Sequence, residues 1–110
     1  MTRLEELEDL LRMVVSNEDL TWYDFWPLSH DEPAIWAREA YDGSLDSAKK
    51  AHEVFLPEWE WMLHDDGCAA VFVPSYTIGG RDRFSGNATN PARAWLIAII
   101  YALIELERSK

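Results

Sequence analysis

The spacing of apolar and polar positions predicts that the chain begins with an amphipathic helix. Thr2 and Glu5 match a capping box, in which each side chain satisfies a free backbone amide at the start of a helix. One stripe at helical spacing then carries the apolar residues Leu4, Leu7, Leu11 and Val14. The acidic residues between them fall largely off that stripe, so we expect the helix to continue to about Val15.

Helix-start signals predict two further helices before residue 57. Asp31-Glu32-Pro33 places a proline in the first turn of a short helix, which would end at Asp42-Gly43. Ser44 can cap the next helix, which we expect over 45–55 because Pro57 stops it. The apolar face of that helix would contain Leu45, Ala48, Ala51, His52 and Phe55.

After Pro57 the pattern changes from a helical period to two-residue alternation, which indicates strands. In the first strand, which we expect to have its aromatic side inward, Trp59, Trp61 and Leu63 alternate with Glu58, Glu60 and Met62. Asp65-Asp66-Gly67 is typical of a tight turn, and 68–73 then forms the returning strand. Gly79-Gly80 marks a second turn before a short third strand over 81–86.

The last predicted helix is apolar on two sides. It begins at Asn90-Pro91, a cap followed by a first-turn proline, and continues to about Arg108. One stripe contains Leu96, Ile99, Ile100, Leu103 and Leu106, and the other contains Ala94, Ile97, Tyr101 and Ile104. Such a helix must be covered on both sides, one by the sheet and the other by the first helix, the Trp-rich loop or a second copy. Its longest apolar run, 94–104, is too short to span a membrane.

This order of elements predicts an α+β fold in a single domain. Strands joined by short turns form a three-stranded antiparallel meander, and helices packed on it give an α/β/α-type sandwich. The domain would span 1–110, with a helical and aromatic N-terminal part over 1–43 and a core over 44–110. Apolar residues make up 48% of the chain and charged residues 27%, which are ordinary globular shares.

The core resembles the phage ABA sandwich domain family of small phage and prophage proteins of unknown function. Three segments carry the resemblance: Ser44-Leu45-Asp46-Ser47-Ala48, Pro57-Glu58-Trp59-Glu60-Trp61, and Ala88-Thr89-Asn90-Pro91-Ala92-Arg93-Ala94 with Leu96, Ile97, Ala98 and Ala102 after it. The resemblance covers about 44–105 and, more loosely, the first helix. It implies the fold and a phage or prophage origin, with no catalytic residues to transfer.

The charge of the chain is uneven, and this narrows the class of partner. The formal net charge is −10, and residues 1–66 hold 17 of the 20 acidic side chains but 5 of the 10 basic ones. Phosphate backbones and anionic membranes would be repelled, so we expect neither nucleic-acid nor membrane binding. Two explanations of the negative charge remain. It keeps the protein in solution, or it forms an acidic face for a basic protein partner.

No catalytic, metal or cofactor site is recognisable, so we expect a protein that is not an enzyme. His64 and Cys68 are close in sequence, but a zinc site needs four converging ligands. His52-Glu53-x-x-Leu56 is half of a zincin motif, with Leu at the place of the second His. The lone cysteine permits no internal disulfide and no secretion signal opens the chain, which predicts the cytoplasm of an infected or lysogenic bacterial host.

The aromatic residues give the main functional prediction. Six tryptophans is several times ordinary usage, and Trp59, Trp61 and Trp95 are expected in the core. Residues 20–28 hold no period and form a packed loop or an irregular turn, either a lid over the last helix or an interaction site. The candidate partner-binding residues are Glu18, Asp19, Trp22, Tyr23, Asp24, Trp26, Asp31 and Glu32.

We therefore expect an accessory protein that acts by binding another protein through the acidic, aromatic region 17–42. Its partner would be basic, such as a nucleic-acid-binding host or defence protein whose site it occupies. The alternative is a homodimeric structural protein assembled through the C-terminal helix.

Overall fold

Three helices, three strands and a last helix follow one another along the chain, in the predicted order. The computed structural model describes residues 2–64, 67–72 and 83–109. The helices are α1 (Arg3–Val15), α2 (Glu32–Tyr41), α3 (Leu45–Phe55) and α4 (Pro91–Arg108), with a 3-10 turn over Trp22–Phe25 between α1 and α2. The strands are β1 (Glu60–Leu63), β2 (Cys68–Phe72) and β3 (Arg83–Asn87).

The helices begin where the cap residues of the sequence place them. The hydroxyl oxygen of Thr2 accepts a hydrogen bond from the backbone N–H of Glu5 at 3.2 Å. The carboxylate of Glu5 in turn accepts a hydrogen bond from the backbone N–H of Thr2. Ser44 accepts from the Ser47 amide at 3.2 Å, and the Asn90 side chain accepts from the Arg93 amide at 2.7 Å. These bonds satisfy amides that would otherwise have no partner, so the predicted starts of α1, α3 and α4 are confirmed.

The three strands form an antiparallel sheet in the order β1-β2-β3, which confirms the α+β class and the meander. Trp61, Val71 and Phe84 lie opposite one another across the sheet. Gly67 has a φ of +81° beside β2, a left-handed conformation that glycine adopts without strain. The other two residues of its predicted turn, the Gly79-Gly80 turn and residues 73 and 81–82 lie outside the described residues.

Helix α4 lies between the sheet and the other helices. Gly86 lets it approach β3 closely, because a Cβ at this glycine would stand 2.3 Å from the carbonyl oxygen of Ala94. Helix α1 packs on another side of α4, and α2 and α3 also contact it. The prediction of burial on two sides is confirmed within one chain. The layers are therefore sheet, α4 and then the remaining helices, so α4 rather than the sheet is the middle layer, and the described residues do not show the α/β/α order expected of the sandwich.

Five apolar positions are more exposed than the sequence predicted, among them Leu63, which the alternation placed on the inward side of the first strand and which is 37% exposed. Tyr101 and Leu106 belong to the predicted stripes of α4 but are 41% and 43% exposed. Leu45 begins α3 and is exposed rather than part of its buried face. Trp61 stacks on Trp95 but is 40% exposed, so its expected place in the core is wrong, since β1 is an edge strand that pairs with β2 alone among the described strands.

Trp95, in contrast, is 2% exposed and belongs to the core as predicted, whereas Trp59 is half-buried against it. None of the described helices combines the length and apolarity that crossing a bilayer requires.

Candidate functional site

The 3-10 turn holds one aromatic side chain inside and presents its neighbours at the surface. The Asp24 carboxylate accepts the Thr21 amide at 2.8 Å and the Thr21 hydroxyl at 3.3 Å, which fixes the start of the turn. Phe25 is fully buried, with its ring centroid 6.0 Å from that of Tyr41 on α2. Because this ring anchors the turn, Tyr23 and Trp26 stay on the outside.

Trp22, Tyr23, Trp26 and His30 form a continuous aromatic cluster. The Tyr23 and Trp26 centroids are 5.0 Å apart at 61°, and Trp26 is 5.0 Å from the ring of His30. Trp22 lies 4.4 Å from Tyr23 and 5.5 Å from Trp26. Edge-to-face contacts of this kind hold aromatic rings in place, so the cluster is a preorganised surface.

The exposure of these rings separates anchors from supports. Tyr23 is 58% exposed and Trp26 is 37% exposed. Trp22 is half-buried, because it packs partly against the core while contacting Tyr23 and Trp26, so it is less exposed than either neighbour. The turn packs mainly on α2 rather than on α4, so it does not form the alternative lid over the last helix.

The aromatic cluster and α1 enclose a groove of about 430 Å³, which we call the acidic aromatic groove. Its lining residues are Glu6, Asp9, Met13, Tyr23, Asp24, Trp26, Pro27 and His30. The three lining residues on α1 were not predicted from the sequence, although positions 6, 9 and 13 have the spacing of one helical face. The groove is as large as many ligand sites, which run from ~300 to ~1,000 Å³.

The carboxylates of the groove differ in how they are engaged. Glu6 is half-buried, and its carboxylate makes no hydrogen bond or ion pair with the rest of the described chain. Asp9 stands 3.5 Å from the exposed guanidinium of Arg12, a weak surface pair. Asp24 caps the turn. Since none of the described residues that line the groove is a Lys or an Arg, this lining has an excess of negative charge beside aromatic rings.

The remaining predicted site residues lie elsewhere. Asp31 and Glu32 stand at the start of α2, and neither lines the groove. Glu18 and Asp19 lie near Tyr41, whose hydroxyl donates to the backbone carbonyl of Glu18. Burial raises the pKa of Tyr41 and the nearby carboxylates add to this, whereas Arg93 opposes it. The structure thus brings three of the eight predicted residues, Tyr23, Asp24 and Trp26, into one groove.

Arg93 joins the ends of three helices. Its Nε donates to the Tyr41 carbonyl at 2.8 Å, and its guanidinium carbon lies 3.9 Å from the Tyr41 ring centroid. A second nitrogen donates to the side chain of Asn17, just beyond α1. Stacking and hydrogen bonds are both satisfied, so this arginine has a structural role.

His52 is a buried structural residue and not half of a zincin site. The indole N–H of Trp95 donates to its Nδ1 at 3.1 Å, so its Nε2 donates to the Trp59 carbonyl at 2.8 Å. The ring is therefore neutral, and burial lowers its pKa, partly offset by the Trp59 bond and Glu53. Within 2–64, 67–72 and 83–109, no three His, Cys, Asp or Glu side chains are placed to hold a metal ion.

A second hollow of about 370 Å³ lies between α1 and α4, beside the helix through which the alternative homodimer would assemble. It is lined by Glu8, Leu11, Arg12, Val15, Tyr101, Ile104 and Arg108. Arg108 bridges one side through a 3.0 Å ion pair with Glu8. Exposed Val15 and Tyr101 make this hollow more apolar than the acidic aromatic groove.

Comparison of the chain with protein-family models, curated proteins and solved structures finds no match. The resemblance to the phage family therefore stays a prediction from the sequence. The functional argument rests on the geometry of the acidic aromatic groove and on the charge of the chain around it.

Proposed function

We propose that this protein is a non-enzymatic binding protein that docks a basic protein partner in the acidic aromatic groove. One observation carries the proposal: the half-buried carboxylate of Glu6, which has no partner among the described residues, stands in the same groove as exposed Tyr23 and Trp26. A carboxylate in that position gains most from a positively charged group that also covers the rings.

The physical properties of the groove match those of binding hot spots. Tyrosine and tryptophan supply large contact area, and they lose little conformational freedom because the cluster already holds them. The net charge of −10 adds a long-range field that speeds the approach of a basic protein. Anchor and field act on the same face, since the groove itself carries carboxylates from both α1 and the 3-10 turn.

The proposal extends to the biological setting that the sequence resemblance implies. A phage or prophage accessory protein of this charge would act in the bacterial cytoplasm on a host or defence protein that binds nucleic acid. Its acidic surface would occupy a site that otherwise takes phosphate groups. No catalytic residue, metal or cofactor is part of this proposal.

Affinity capture with a matched pair of variants tests the proposal. Tyr23→Ala removes an exposed ring in the groove, and Tyr101→Ala removes an equally large exposed ring outside it. A basic protein from the host should be retained by the wild type and by Tyr101→Ala, and lost with Tyr23→Ala combined with Trp26→Ala. Its association should slow as salt rises. Retention by the groove variant, or association independent of salt, contradicts the proposal.

The second candidate function is a homodimer formed through the hollow between α1 and α4. Exposed Val15 and Tyr101 favour it, because both line one depression together with Leu11 and Ile104. The solution mass decides between one chain of 12.7 kDa and twice that value. A dimer whose mass falls to that of one chain in Tyr101→Asp supports this candidate, and a strict monomer at high concentration removes it.

A further inference from the structure

We infer that the acidic aromatic groove recognises the guanidinium of an arginine on its partner, in preference to the ammonium of a lysine. The inference rests on the proposed function and deepens it by naming the group that is bound. The contacts that arginine and lysine side chains of this chain make with its own aromatic rings support it.

Arg93 is an internal example of guanidinium binding. Its guanidinium carbon is 3.9 Å from the ring centroid of Tyr41, and one nitrogen donates to a carbonyl at 2.8 Å. Another nitrogen reaches the side-chain oxygen of Asn17. A planar cation can stack on a ring and hydrogen-bond at its edge at the same time, which an ammonium cannot do.

The lysines of the chain approach aromatic rings less closely. The Nζ atoms of Lys49 and Lys50 lie 6.0 and 5.9 Å from the ring centroids of Trp61 and Trp36. Both distances are at the outer limit of ~6 Å for a cation–π contact. An ammonium is more strongly hydrated than a guanidinium, so it gains less from covering a ring.

The groove supplies the same components as the Arg93 site, but its described lining contains no Lys or Arg. Tyr23 and Trp26 provide rings 5.0 Å apart, and carboxylates replace the neutral acceptors around Arg93. Glu6 can accept two parallel N–H bonds from one guanidinium, the strongest geometry for this pair. Within the part of the chain that the structure describes, no basic side chain fills the groove, and a volume of about 430 Å³ leaves space for a long side chain.

Three blocked pentapeptides of glycine with a central arginine, lysine or citrulline test the inference on the full chain. Citrulline keeps the shape of arginine without its charge. Titrated to about 10 mM, which saturates a Kd of ~1 mM, the arginine peptide should shift the indole signal of Trp26 and bind about fivefold more tightly than the lysine peptide. The citrulline peptide should bind most weakly.

A matched pair of charge-neutralising variants locates the site. Glu6→Gln in the groove should weaken arginine binding at least threefold, whereas Glu53→Gln, exposed on α3, should leave it unchanged. Both variants should melt like the wild type. Equal affinity for arginine and lysine, an absence of Trp26 shifts, or an equal effect of the two variants overturns the inference.

The proposed function and this inference fail in different ways. If the partner is lost from the variant lacking Tyr23 and Trp26 while the peptides show no preference for arginine, the groove binds a protein but not through a guanidinium. If that variant retains the partner, the proposed function itself is wrong.

Discussion

Replacing Gly86 by alanine probes the closest approach of α4 to the sheet. A Cβ at this position would lie 2.3 Å from the Ala94 carbonyl oxygen, 2.8 Å from the Ile97 Cβ and 2.9 Å from the Ala98 amide nitrogen. Two of these atoms belong to the helix backbone, so no side-chain rotation relieves the clash. Carbon atoms prefer separations of ~3.5–4.0 Å, so the helix must move away from β3 by about 1 Å.

That displacement should destabilise the protein by about 3 kcal/mol. Overpacking a filled core costs ~1–3 kcal/mol, and the shift opens gaps along α4, where a gap of 0.5–1 Å forfeits about a quarter to a half of each contact energy. The upper end applies because α4 is buried against both the sheet and α1. For a domain of this size we expect the melting temperature to fall by roughly 12–20 °C.

Urea denaturation followed by tryptophan fluorescence and circular dichroism measures this loss. The midpoint should decrease with an unchanged slope, as for a change in stability alone. Ser85→Ala, at the exposed neighbouring position of β3, serves as the control and should stay within ~0.5 kcal/mol of the wild type. If Gly86→Ala is equally silent, the close packing of α4 on β3 is wrong.

Three further perturbations test other parts of the structure. Burial lowers the pKa of His52 in the folded chain, so the unfolded chain binds a proton at a higher pH than the folded chain does. Stability should therefore fall as the pH drops below about 6.5 and on toward the lowered folded-state pKa. His52→Gln should flatten a profile of the urea midpoint against pH, and an unchanged profile contradicts this. Ile99→Asp should prevent cooperative melting, whereas Tyr101→Asp should melt nearly like the wild type. Trp22→Ala should lower the free energy of unfolding by ~2–3 kcal/mol, measured by thermal unfolding. Tyr23→Ala should lower it by less than ~1 kcal/mol. The reverse order would mean that Tyr23, and not Trp22, is the ring that supports the cluster.

Local signals predicted the elements well because each depends on a few neighbouring residues. Ser44 and Asn90 cap α3 and α4 through bonds to amides three residues away. Pro57 ends the helical pattern soon after α3, and the alternation around Trp61 gives β1. Such bonds and steric limits act within one turn of chain, so they operate before any tertiary contact forms.

The candidate site was predicted in part, because its two halves are distant in sequence. The aromatic composition indicated Tyr23, Asp24 and Trp26, but no local rule relates them to Glu6 and Asp9 on α1. The acidic face of α1 has the ordinary pattern of a solvated helix surface. Only the position of the 3-10 turn, anchored on α2 by Phe25, makes that face one wall of a groove.

By itself the sequence determined the class of fold, the helix starts, the meander and the negative charge of the chain. Tertiary structure decided which aromatic rings are exposed, since Trp22 packs partly against the core, while Trp61 and Tyr101 stay at the surface. Periodicity assigns a side chain to a face, but exposure depends on what another element places against that face. The packing of α4 between the sheet and α1 determines which faces are covered, and it brings together residues that are far apart in the sequence. The sequence alone does not show which of these residues come into contact.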